Sequence, residues 1–165
     1  MALKSIIVHV TNSEVSVARV ESALALAMIH DAHLSGIGVR LGVQIPGYAS
    51  TNIPDGVIQE VEARQEAADL AARDAFRDAA ARAGWSDRSD WLLGEGRASE
   101  VVGLHARYAD LTVIGQQPPS GPDATEDSFA DLLFMRCGRP VLVLTHIGAK
   151  RPIGKHIVVA WNASR

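Results

Sequence analysis

The stretch ADLTVIGQQPPSGPDATEDSFADLLFMRCGRPVLVL, residues 109–144, constrains the fold more than any other part of the chain. Its ends, Leu111-Thr112-Val113-Ile114 and Val141-Leu142-Val143-Leu144, are short apolar runs of β-forming residues. Between them Phe129, Leu132 and Leu133 fall on one helical face, and Gly138 followed by Pro140 stops that helix. Strand, loop, helix and strand make one βαβ unit of a parallel sheet. In open parallel sheets ligands bind beyond the carboxyl ends of the strands, which points function to the loop from Gly115 to Glu126. That loop is rich in proline.

A chain of 165 residues, 47% hydrophobic, can bury the core of one ordinary domain. Its net charge of −3 argues against a nucleic-acid groove, which needs clustered Lys and Arg. No apolar run of about 18 residues is present, so no membrane span is expected. The start, MALKSIIVHV, enters a strand-like run directly, without a small-residue cleavage site, and the expected setting is cytoplasmic. Cys137 is alone, which excludes an intrachain disulfide and reads as a small buried hydrophobe.

In chain order, Ser5 to Val10 is almost continuously apolar, the mark of a strand covered on both faces. Thr11-Asn12-Ser13 supply a turn and an N-cap, after which Val17, Val20, Leu24 and Ala27 recur at helical spacing to about Asp31. Leu34 to Leu41 is a second strand with two glycines, and residues 42–55 form a Pro/Gly-rich surface loop. From 56 to 83 Val57, Val61, Ala68, Ala72, Ala75, Phe76, Ala79 and Ala83 line one face of a long helix closed by Gly84. Ser89 to Leu93 is a third, shorter strand. Gly94 to Gly96 then turns into a helix over 98–108, with Val101, Val102 and either His105 or Leu104 inward.

Strand and helix therefore alternate through residue 145. With right-handed crossovers this gives an α/β domain, a doubly wound open sheet, mostly parallel, with helices on both faces. Residues 146–154 read as a Gly/Pro and Lys/Arg linker. Beyond it KHIVVAWNAS, residues 155–164, aligns without gaps on KSIIVHVTNS, residues 4–13. A repeat at domain spacing marks 155–165 as the first strand of a second, truncated domain. The alternative is that any two buried strands share such a pattern.

The chemistry-bearing residues are sparse. His30-x-x-His33 has metal-ligand spacing but spans a helix-to-strand junction with no third ligand nearby, so no metal site is expected. No G-x-S-x-G, H-E-x-x-H or Ser/His/Asp order occurs, and no catalytic residue is assigned. The carboxylates between Glu60 and Asp78 alternate with Arg64, Arg73 and Arg77 as a solvated face. Gly94-Glu95-Gly96 is a weak phosphate-loop likeness that a tight turn explains equally well. A helix opening at Asp127 and Ser128 offers N–H groups to a phosphate, yet Glu126 and Asp127 already place negative charge there.

A strand ending ADLTVIG, a loop, a helix and a closing RCGRPVLVL resemble the universal stress protein family, and the likeness runs in order through residues 4–145. It implies a five-stranded sheet in the order 3-2-1-4-5, self-association, and no catalytic chemistry in most members. KHIVVAWNAS resembles the opening of the second domain in tandem members. Nucleotide-binding members carry G-x2-G-x9-G-[ST] after the fourth strand and an Asp at the end of the first. Here Gly115 and Ser128 match, whereas Pro118 and Asp127 stand at the other two glycines and Thr11 at the Asp. The resemblance thus implies a degenerate site, met if at all by Thr11, Asn12, Val39, Gly115 and Ser128. No cofactor is expected, with ATP or AMP as the candidates, and an adenine-nucleotide binder with weak hydrolysis is the rival reading. The strand Val141, Leu142, Val143, Leu144 is the expected pairing edge, for a homodimer or for a second similar domain within the chain.

Overall fold

The computed structural model describes residues 3–40, 55–116, 128–145, 153–154 and 157–161. Pro118, Glu126, Asp127, Asn162, the loop before residue 55 and most of the linker lie outside these. Five strands, β1 (Ser5–His9), β2 (His33–Arg40), β3 (Ser89–Glu95), β4 (Leu111–Gly115) and β5 (Val141–Leu144), alternate with helices α1 (Glu14–His30), α2 (Asp55–Arg82), α3 (Ala98–Ala106) and α4 (Phe129–Cys137). The strands form one parallel sheet in the order β3-β2-β1-β4-β5. The expected doubly wound sheet and strand order are both observed.

The central strand β1 shows why. Ile6, Val8 and Val10 join a core with α1 and α2, and Ile7 joins a second core with α3 and α4. A strand alternates its side chains between faces, so only one apolar on every position can sit between two helical layers. The β1 backbone is bracketed in register by Ser5–His9 against His33–Ile37 and by Ile6–Val8 against Leu111–Val113. Asp110 fastens the start of β1, its Oδ2 accepting from the amides of Lys4 (2.7 Å) and Ser5 (3.1 Å). These two bonds hold its carboxyl below the usual carboxylate range. Cys137 is buried in the α3/α4 core, as expected of a small hydrophobe.

Two local expectations are corrected, and an alternative left open in α3 is resolved. The third strand runs two residues further than expected: it continues through Gly94 and Glu95, where a hydrogen at Gly94 lets Val101 of α3 pack directly on the strand, and the turn falls at Gly96 with φ +129°. In α3 Val102 is buried and Leu104 exposed, which leaves His105 as the partly covered partner. In α2 burial begins only at Ala72; Val57 and Val61 are exposed. A helix of 28 residues is about 42 Å long, whereas eight residues of β2 span about 26 Å, so the helix outruns the sheet it packs on. Its free half is tied at Asp69, whose carboxylate accepts from Arg40 Nε at 2.7 Å.

Among the described residues no helix is long and apolar enough to cross a membrane. Ile153, in the linker, packs against the α1/α2 core. Ile157, Val158, Val159 and Trp161 are exposed and take no regular secondary structure.

The contact between α2 and β2 depends on a missing side chain. A Cβ at Gly36 would stand 2.9 Å from the ring of Phe76, which also packs against Trp91 at a centroid distance of 5.8 Å. Gly36→Ala is therefore expected to destabilise the domain by about 1–3 kcal/mol, the usual cost of overpacking. A urea midpoint unchanged from the parent protein would contradict it.

Candidate functional site

In this topology the chain turns from one face of the sheet to the other between β1 and β4, and the carboxyl ends of those strands open a crevice. Thr11 and Asn12 follow β1 on one side of it. Gly115 closes β4 on the other. Extending the β1–β2 register by two residues past His9↔Ile37 brings Val39 level with Thr11, and Val39 packs against the α3/α4 core. Ser128 is the residue before α4, held in the left-handed conformation (φ +63°) and exposed, with no side-chain cap bond. The fold thus gathers Thr11, Asn12, Val39 and Gly115 at one end of the sheet. Thr11 and Asn12 also border a cleft of about 550 Å³ between the first turns of α1 and Ala75, Phe76 and Ala79 of α2. This is why Val17, expected to face inward, is exposed: it lines that cleft.

The hydrogen bonds at the end of β1 are inward-looking. Val10 N–H donates to the Ile37 carbonyl at 2.9 Å and Thr11 N–H to Ser16 Oγ at 3.0 Å. Ser13, the N-cap of α1, accepts from Ser16 N–H at 3.2 Å, while its own N–H donates to the Thr11 carbonyl at 3.0 Å. Thr11 Oγ1 and Ser13 Oγ are 3.2 Å apart. Beyond Gly115, the N–H of Gln116 donates to the Leu144 carbonyl at 2.6 Å and so prolongs the β4–β5 ladder. Glu14 adds a carboxylate in the first turn of α1, where the helix dipole favours it over an incoming anion.

Two residues that the sequence reading did not single out sit in the crevice. Arg19, from the second turn of α1, is only 7% exposed; its Nη2 donates to Thr11 Oγ1 at 3.3 Å. Its guanidinium lies over Gly115, so close that a Cβ there would stand 2.7 Å from Nη1 and 3.1 Å from Cζ. His9, the last residue of β1, is 3% exposed with its ring 5.1 Å from that of Phe129 in α4. Burial, and then the positive charge of Arg19, push the His9 pKa down to about 3, so the ring is neutral at physiological pH. A signal for Arg19 was present. It falls three residues after Ser16 and four before Ala23, both on the buried side of α1, so a charge stands where the helical period calls for core.

His30 and His33 remain apart in role, His33 opening β2 with its Nε2 3.1 Å from Asp90 Oδ1 of β3. Among the described residues no cluster of three or more His, Cys, Asp or Glu forms.

His9 makes stability depend on pH. The unfolded chain protonates this histidine below about pH 6.5, and the folded one does so only near pH 3. In that window the unfolded state binds the extra proton, so stability falls as pH falls, by up to about 1.4 kcal/mol per unit from this group. His9→Leu should flatten the slope of urea-derived stability between pH 6 and 4. An equal slope in parent and variant would assign it elsewhere.

No protein-family model matches the sequence, and none of the curated proteins does. Solved structures do. The universal stress protein UspA from Lactobacillus plantarum superposes with a TM-score of 0.66 at 19% identity, over 87% of this chain and 98% of that one. A universal stress protein family structure from Burkholderia pseudomallei gives 0.60 at 23%, over 86% and 95%. A universal stress protein in complex with cAMP gives 0.58 at 18%, over 88% and 99%. Two further matches, from Archaeoglobus fulgidus and Arabidopsis thaliana, hold dAMP and AMP. A functionally unknown Pseudomonas aeruginosa protein, PA1789, is covered over 87% of this chain but only 48% of its own. The chain has the fold of the universal stress proteins.

Proposed function

We propose that this chain is a universal-stress-protein-type binding domain that acts in the cytoplasm, without catalysis, through self-association and ligand contact, its nucleotide crevice being degenerate. The observation that carries the reading is the state of the crevice between β1 and β4. The amides of Thr11, Ser16 and Gln116 are spent on the scaffold, and the Arg19 guanidinium covers the glycine beside which a phosphate would approach. A phosphate loop works by turning backbone N–H groups outward; here the described ones turn inward. Each lost charge-assisted contact costs ~1–3 kcal/mol, so two or three lower affinity about a hundredfold or more. The absence of catalysis is supported by His9, a neutral buried ring packed on Phe129 that takes up no proton near neutral pH.

The second reading, an adenine-nucleotide binder with weak hydrolysis, is favoured by the structural relatives solved with cAMP, dAMP and AMP. Calorimetry of the full chain decides between them. The degenerate site predicts no ATP binding tighter than about 100 μM, and micromolar ATP binding with phosphate release would establish the rival.

Self-association is supported by the edge position of β5, which among the described residues has no strand on its outer side. Val143 on that strand and Phe134 and Met135 on neighbouring α4 are exposed. The partner is a second copy or a second like domain of a longer chain. Support for the latter comes from the likeness of residues 155–164 to 4–13, the exposed run Ile157–Trp161, and the twofold length of PA1789. Val143→Lys should shift a size-exclusion or light-scattering profile toward monomer while leaving circular dichroism intact; a folded variant with the parent profile would remove the edge from the proposal.

A further inference from the structure

We infer that Arg19 is the residue that closes this crevice to nucleotide phosphate: its guanidinium is a built-in plug that occupies the phosphate position over Gly115. The inference rests on the reading of the crevice as a degenerate nucleotide site, and deepens it by naming the residue responsible.

Arg19 belongs to α1, on one face of the sheet, yet its guanidinium lies across the end of β4, between Thr11 Oγ1 and the Cα of Gly115. Glycine at 115 leaves room for that planar group, since even a methyl group there would overlap Nη1. The missing side chain thus admits a cation from within the protein where an open crevice would admit an anion from outside. A phosphate oxygen must come within about 2.9 Å of a donating N–H, and the guanidinium already fills the side-chain position of Gly115 beside the end of β4. The plug is also held. Its body is buried, and Thr11, to which it donates, is itself locked by Ser13 and Ser16. A guanidinium keeps its charge at any physiological pH, so the closure is not relieved by titration.

The test is binding of AMP to the full chain by calorimetry in the parent, Arg19→Ala and Arg19→Gln. Removing a cation weakens the attraction for a phosphate, so on charge alone both variants should bind less. A plug makes the opposite prediction: both bind AMP at least tenfold more tightly than the parent. Affinity unchanged or lowered in the folded variants overturns the inference. The parent supplies a second measurement that needs no variant. At AMP concentrations high enough to occupy the crevice, the Arg19 Nε–H resonance should shift as the guanidinium is displaced, and a resonance unmoved at saturation overturns the inference as well. The two claims fail separately: micromolar AMP binding by the parent sinks the degenerate-site reading whatever the variants do, and a weak parent with equally weak folded variants sinks only the plug.

Discussion

Everything in this domain hangs on the burial of β1 from four sides. Its backbone is paired to β2 and β4, and its side chains alternate between the α1/α2 core and the α3/α4 core, with Ile6 and Val8 fully buried. Such a strand cannot end gradually. Where the ladder stops, its polar groups must be satisfied in a dry place, and the penalty for an unmade bond there is ~1–3 kcal/mol. The chain meets this within eight residues, Ser13 and Ser16 taking up the amides and hydroxyl of the turn that Thr11 begins. The N-terminus of α1 is capped by the same bonds, so the helix and the strand end secure one another.

That economy fixes the chemistry of the crevice. Arg19 and His9 reach it from opposite sides of the sheet, one from α1 and the other packed on Phe129 of α4. A buried cation discourages a second positive charge nearby, which is part of why His9 stays neutral. Among the described residues the crevice therefore carries a buried positive charge beside a neutral ring, and the polar groups of Thr11, Ser13, Ser16 and Arg19 secure the end of β1 to the start of α1.

Much of the architecture was legible from periodicity. Strands buried on both faces, such as β1 and β4, read as nearly unbroken apolar runs, and five strand-like segments separated by helical patterns leave few topologies once crossovers are right-handed. What failed was whatever depended on length or on a neighbour's shape. The apolar stripe of α2 is continuous from Val57 to Ala83, but only the part from Ala72 onward has a sheet beneath it, which no residue in the helix announces. Val17 satisfies the helical period and still faces a cleft, because α2 does not close over it. Gly94 looks like a turn residue, and it is a strand residue made small for Val101. At the site, the resemblance named Thr11, Asn12, Val39, Gly115 and Ser128, and the fold brings the first four to one end of the sheet, whereas Arg19 was not singled out although a charge stands there on the buried side of α1.

Gly115 shows the general point most sharply. A glycine at the end of a strand, before a loop and a helix, serves equally well to let a ligand's phosphate approach the backbone or to let another part of the protein do so. Sequence pattern cannot separate these uses, since both need the same missing Cβ. The separation lies eight residues after Thr11 in another segment, where a positive charge on the buried side of α1 has to go somewhere. The helix carries that charge toward the strand ends, the hydroxyl at Thr11 receives it, and the space at Gly115 accommodates it. Thr11, Arg19 and Gly115 therefore form one unit drawn from three elements, and the Thr at the end of β1 and the Gly at the end of β4 acquire their meaning from the Arg between them.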